Sequence, residues 1–179
     1  EHMEGARGGG KERSRNYAGS ADFVNAVLSN HKPGDFNIVI FGSAGASGGI
    51  LGPLVVRQLL ERELPVASFI VGDTTTQKEI DNTVKTWKTM DNQRKGLDID
   101  VVFDYVVNSK YATRGEANAA IVNRLDLLSV FLTDVHEEAD YEDIRNLLRV
   151  SRVTTVPASL QKINFFDDAA KLEEIAGNP

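Results

Sequence analysis

The chain has no cysteine, only three histidines, two methionines and a single tryptophan. Without cysteine there is no disulfide framework and no thiolate metal site. His2, His31 and His136 stand apart without H-x-x-x-H spacing, so no zinc site is expected, and no Ser-His-Asp or Cys-His arrangement emerges. Basic residues are in the minority: 20 Lys and Arg against 26 Asp and Glu leave a net charge of -6, with an isoelectric point near 5.1. That balance lacks the basic footprint that binds nucleic acid or an anionic membrane surface. Apolar runs are too short for a membrane span, and the first residues are polar and glycine-rich, unlike a signal peptide. A cytoplasmic protein without direct nucleic-acid or membrane contact is the expectation.

What is present suits one domain, or one domain with a short appendage: 179 residues, 41% hydrophobic and 26% charged. The runs "FNIVIF" (36–41), "VASFIV" (66–71) and "IDVVFDYVV" (99–107) are predicted as buried parallel strands. Helical patterns alternate with them. Residues 20–29 place Phe23, Val24, Val27 and Leu28 on one face, with Ser20 as cap. Leu51, Leu54, Val55, Leu59 and Leu60 recur at helical spacing, with Pro53 expected in the first turn. Residues 77–90 carry a narrower stripe of Ile80, Val84 and Trp87. Thr113 and Glu116 form a capping box opening a long helix, whose stripe is Ala117, Ala120, Ile121, Leu125, Leu128, Phe131 and Leu132. A shorter helix at 141–149 and a strand near 160–166 follow, then an acidic helix or tail. The alternation predicts a parallel α/β sheet flanked by helices, with right-handed crossovers. Its first thirty-five residues hold no strand, so the chain reads as if it begins partway through such a domain.

The stretch "GSAGASGG" joins the first of these strands to its helix. Small residues at Gly42, Ser43, Ala44, Gly45, Ala46, Ser47, Gly48 and Gly49 let a backbone approach something closely. The helix that follows brings amides without internal partners and the positive end of its dipole, which together favour an anion. Ser43 and Ser47 are candidate hydroxyl donors. A tight turn for close helix–strand packing is the alternative. There is no Walker lysine, since Leu51 and Gly52 follow. A dinucleotide site fits the glycine spacing, but Glu61 and Glu63 fall at a helix end, and Tyr105 and Lys110 do not make a Tyr-x-x-x-Lys pair. An NAD(P)-binding oxidoreductase-like protein is thereby the lesser reading.

Several segments together resemble the tubulin/FtsZ superfamily, in particular its phage- and plasmid-encoded members. "EGARGGGKERSRNYAGSADFVNAVL" is similar to that family's second phosphate loop and its helix, with Gly8, Gly9 and Gly10 as the phosphate-facing glycines. "FNIVIF" and "GSAGASGG" resemble the strand and the signature loop Gly-Gly-Gly-Thr-Gly-[Ser/Thr]-Gly, without the triple glycine and with Ser47 nearest the threonine. "GDTTT" corresponds to the ribose-side loop, with Asp73 as its acid. The long helix resembles the family's central helix; Ala117-Asn118 match its Ala-Asn-Asp, and Ala119 replaces the aspartate. Asn118 is the candidate for reading guanine, and Asn123 the alternative. "EADYEDIRNLL" resembles the catalytic loop Asn-x-Asp-x-x-[Asp/Glu], with Asp140 and Asp143 on the acidic positions and Glu138 in place of the asparagine.

The resemblance implies a nucleotide-binding domain of Rossmann-like form over 1–135, the acidic loop and the start of a second domain over 136–166, and a tail over 167–179. It implies GTP or GDP with Mg²⁺, and a head-to-tail homopolymer in which one subunit's acidic loop meets its neighbour's nucleotide. A role in moving or positioning DNA through an adaptor, or a phage cargo, goes with it. The family's first strand and first phosphate loop have no counterpart in this sequence. A non-catalytic tubulin-like structural protein is the remaining alternative.

Overall fold

The computed structural model describes residues 13, 17, 19–109, 112–133 and 140–165. In chain order the elements are α1 (Ser20–Asn30), β1 (Asn37–Gly42), α2 (Gly48–Glu61), β2 (Val66–Asp73), α3 (Gln77–Leu97) and β3 (Val101–Asn108). Then come α4 (Arg114–Leu132), α5 (Tyr141–Leu147), α6 (Val150–Val153) and β4 (Leu160–Lys162). The four strands form one parallel sheet in the order β1-β2-β3-β4. The apolar runs form strands because both faces of the sheet are covered, so neither face needs polar residues. β2 is the most enclosed, with Val66, Ala67, Ser68, Phe69 and Ile70 all buried.

One face carries α1, α2 and α3 over Val24, Phe41, Val56, Leu59, Ile70 and Met90. The other carries α4 and α5 over Phe69, Val102, Val106, Ile121, Leu128 and Ile144. Each such side chain contributes roughly 1.5–3 kcal/mol on burial. The two crossovers leading from β1 to β2 and from β2 to β3 run over the first face, whereas the β3–β4 connection carries its helices α4 and α5 over the second. All three step in the same direction across the sheet, so the third has the opposite hand, and the single right-handed pattern expected from sequence does not hold throughout. A long excursion of three helices separates β3 from β4, rather than one crossover helix docked between neighbouring strands.

Several local expectations change. Helix α2 starts at Gly48, so Pro53 lies beyond its first turn. Proline cannot donate to the carbonyl four residues back; the Gly49 oxygen instead has the Thr86 hydroxyl 3.5 Å away. In α3, Val84 is exposed and the buried face is Glu79, Asn82, Thr83, Thr86, Met90 and Gln93. That face is mostly polar, which a search for apolar periodicity misses. The helix also extends to Leu97, the helix expected over 141–149 ends at Leu147, and a separate α6 follows at Val150–Val153.

The capping box is made as expected: the Glu116 amide donates to Thr113 Oγ1 at 3.3 Å, and the Thr113 amide donates to the Glu116 carboxylate at 2.6 Å. The Thr113 amide foremost, and its hydroxyl second, hold the Glu116 carboxyl below its ordinary range. Thr113→Ala is expected to destabilise the fold by about 1 kcal/mol, measurable as a lower urea midpoint at unchanged slope. Further along α4, Arg124 pairs with the buried Asp104 of β3, fixing the helix against the sheet. Asp100, also buried, accepts from the amides of Ser151 (2.6 Å) and Ser159 (3.0 Å) and from Gln161 Nε2 (2.9 Å). Those bonds anchor α6 and β4 at the start of β3.

Candidate functional site

Gly42 ends β1 at the edge where parallel strands finish, and residues 43–47 turn the chain into α2. The loop has a packed side and an open side. On the packed side, a Cβ at Gly48 would lie 2.3 Å from the Gly42 oxygen, and one at Gly49 would lie 2.8 Å from the Ser43 oxygen. Here glycine is needed for close approach of helix and strand, as the packing alternative requires. On the open side, Gly42, Gly45 and Ser47 are exposed, and a Cβ at Gly45 would meet nothing within 4 Å. Ser47 occupies the N-cap position without a side-chain cap bond. The first intrahelical bonds run from the Gly49 amide to the Gly45 oxygen (3.2 Å) and from the Leu51 amide to the Ser47 oxygen (2.8 Å). Amides before these have no helical partner and form the donor end of α2. The packed side and the open, donor-bearing side are therefore supplied by different residues of one loop.

A buried polar layer lies beneath it. The Ser43 side chain is fully enclosed; its hydroxyl is 3.1 Å from the Val71 oxygen and 3.2 Å from Thr83 Oγ1, which ties the loop to β2 and α3. The hydroxyl thus faces inward, whereas Ser47 faces outward. Asn82 Nδ2 donates to the Ala44 oxygen at 3.0 Å, and the Thr86 hydroxyl lies 3.0 Å from the Ser43 oxygen. Arg13 Nη1 donates to Thr86 Oγ1 at 2.7 Å and to the Asn82 oxygen at 3.1 Å. Sequence reasoning missed these α3 residues; their i, i+4 spacing of side chains that carry donors is the signal that was available.

At the same edge of the sheet, Asp73 ends β2. Its carboxylate accepts from the Thr75 amide and from Asn108 Nδ2, each at 2.8 Å, joining the ends of β2 and β3. Tyr105 packs across Gly72 beside it, and its phenol is raised above the ordinary tyrosine value, by burial first and by Asp73 second. Helix α4 also begins at this edge, with Asn118 exposed in its second turn and Asn123 exposed further on. Gly42 to Gly49, Asp73 and the start of α4 are thus brought to one end of the molecule. Gly8, Gly9, Gly10 and Glu138 lie outside the described residues.

Asp140 and Asp143 lie at the other end. Nineteen residues of α4 carry the chain back by roughly 28 Å. There α5 begins beside the segments that lead into β1 and β2: a cleft of about 240 Å³ is lined by Asp35, Glu63, Leu64, Pro65, Tyr141, Glu142 and Arg145. Asp140 caps α5, accepting from the amides of Glu142 (2.9 Å) and Asp143 (3.1 Å), while Asp143 accepts from the Asp140 amide at 3.0 Å. Both acids are exposed. The phenol of Tyr141 is raised, chiefly by burial and then by Asp35. The sheet separates this acidic end from the glycine loop by about 20 Å, the length of a six-residue strand. Within one chain the two cannot meet on one ligand.

No protein-family model matches the chain. It is 27% identical over 146 residues to a phage tubulin-like protein of Pseudomonas phage 201phi2-1, an alignment covering 82% of this chain and 46% of that protein. Among known structures it superposes on the phage tubulin PhuZ with GDP, with a TM-score of 0.90 and 23% identity over 98% of this chain and 56% of the other. The PhuZ201 filament gives a TM-score of 0.89 at 22% identity, again over 98% and 56%. The chain spans about half the length of these relatives. In sequence the chain is similar to phage tubulin-like proteins, and its fold is that of the phage tubulin structures.

Proposed function

We propose that the chain is the nucleotide-binding part of a GTP-hydrolysing filament protein, in which the acidic end of one subunit completes the site on the nucleotide of the next. The observation that carries this reading is the separation of the glycine loop and Asp140–Asp143 to opposite edges of one sheet. A subunit with a phosphate cradle at one end and carboxylates at the other can use both only through a head-to-tail contact. Such a contact does not close on itself and so propagates as a filament. The protofilament and filament forms among its structural neighbours support self-assembly, and the GDP named with PhuZ supports a guanine nucleotide.

The open side of the glycine loop would receive the phosphates on backbone amides and the α2 dipole. Gly8, Gly9 and Gly10 would add a second phosphate loop, Asp73 would stand on the ribose side, and Asn118 would read the base. Among the described residues no three His, Asp or Glu side chains are grouped as a metal site. A Mg²⁺ ion would accordingly take most of its ligands from phosphate and water, as is usual for this ion. Phosphoryl transfer needs little covalent help from protein, only positioning and charge stabilisation. Asp140 and Asp143, brought by a neighbour, would orient the attacking water. In this reading residues 1–135 make the nucleotide domain and 136–166 lead into a second one, with a cytoplasmic filament moving DNA or phage cargo through an adaptor.

Titration with fluorescent GTP and with NADPH tests the ligand. GTP is expected to bind, with pelleting on ultracentrifugation dependent on it. Binding of NADPH without GTP would overturn the assignment in favour of a dinucleotide site.

A further inference from the structure

We infer that Asn82 and Thr86 are positioning residues that fix which way the peptides of the glycine loop point. The identity of the anion rests on the GTP reading above; the geometry does not. In a trans peptide the carbonyl and the N–H point in opposite directions. Asn82 Nδ2 draws the Ala44 carbonyl toward α3, and the Thr86 hydroxyl draws the Ser43 carbonyl the same way, each at 3.0 Å. The N–H groups sharing those peptides belong to Gly45 and Ala44. They are consequently turned away from α3, toward the side on which Gly45 and Ser47 are exposed. Two successive outward amides leading into a helix N-terminus form an anion-binding concavity. With either peptide reversed, a carbonyl oxygen would face the phosphate instead.

Arg13 helps hold this arrangement. Its Nη1 occupies the acceptor side of the Thr86 hydroxyl at 2.7 Å, so the hydroxyl proton is directed to a carbonyl. Three carbonyls compete for it: Ser43 and Asn82 at 3.0 Å, and Gly49 at 3.5 Å. This accounts for the polar composition of the buried face of α3. Burying Asn82, Thr83 and Thr86 is unfavourable unless every one is hydrogen-bonded, and their partners are the loop carbonyls and Ser43. An apolar α3 would pack as well against the sheet but would leave the peptides of the loop free to turn.

The test pairs Thr86→Val, which keeps the shape and removes the hydroxyl, with Asn82→Ala, and includes Thr86→Ser as the conservative form. Calorimetric titration of the chain should give a GTP affinity tenfold or more weaker in the first two variants, with Thr86→Ser near the parent. Guanosine, which has no phosphate, should bind all four proteins equally; an equal loss for guanosine would mark a general structural defect and overturn the inference. Crystal structures of Thr86→Val and Asn82→Ala supply the second readout, in which the 43–44 or 44–45 peptide is expected to turn. Peptides that keep their direction without these side chains overturn the inference, whatever the chain binds. Turned peptides in a protein that binds no GTP would sink the nucleotide reading and leave the positioning role standing.

Discussion

Asp140→Asn combined with Asp143→Asn is expected to reduce GTP turnover in the assembled protein by about a hundredfold, the order lost when a reacting group is misplaced. Nucleotide binding should be unaffected, because both residues lie across the sheet from the glycine loop. Asparagine is the informative replacement. Asp140 caps α5 and Asp143 accepts the Asp140 amide; asparagine keeps an oxygen for each bond and is itself a favoured cap. Alanine would remove the cap and confuse a folding loss with a catalytic one. If hydrolysis is completed between subunits, the filaments of the asparagine variant should also outlive those of the parent in a turbidity decay. Mixing this variant with one defective in the glycine loop should restore turnover, since an intact acidic end then meets an intact cradle. A mixture that stays inactive would mean that the acids do not act in trans. Loss of assembly with turnover intact would overturn the role assigned to them.

That these two segments belong at opposite ends was legible in principle. In a parallel sheet every strand ends at the same edge, and a helix long enough to span the sheet returns the chain to the other. The Thr113–Glu116 box marks the start of α4 in the sequence, and its long apolar period places the acidic segment one sheet length away. β1, β2 and β3 were legible for a related reason, because strands buried on both faces read as continuous apolar runs. The layer that orients the glycine loop was not. Asn82, Thr83 and Thr86 are buried for their hydrogen bonds rather than for apolar area, so the periodicity that finds a core picks out Val84, which is exposed. Pro53 misled for another reason: it removes one bond inside α2, and the burial of Val56, Leu59 and Leu60 beyond it carries the helix on. The β3–β4 connection breaks the handedness rule because the whole α4–α6 excursion intervenes. Short-range patterns fix elements; long-range polar contacts and chain path come only with the fold.

The glycine loop invites a second large effect, one that separates its two roles. Gly48→Ala is expected to lower the melting temperature by roughly 6–12 °C, as about 3 kcal/mol would in a domain of this size. The added Cβ would lie 2.3 Å from the Gly42 carbonyl oxygen, a backbone atom at the end of β1 that cannot rotate out of the way. Helix and strand must move apart, and binding is lost together with stability. Gly45→Ala is expected to do the reverse. Its Cβ meets nothing within 4 Å and its backbone lies outside the left-handed region, so restricting the unfolded chain should leave stability unchanged or raise it by up to about 1 kcal/mol. The same methyl would stand on the open side of the loop, where a phosphate must approach the amides closely, and GTP affinity should fall by tenfold or more. Differential scanning calorimetry and GTP titration on the two variants give the pattern. If Gly45→Ala binds GTP as the parent does, the loop is a packing turn only, and the anion site must be sought elsewhere on that edge.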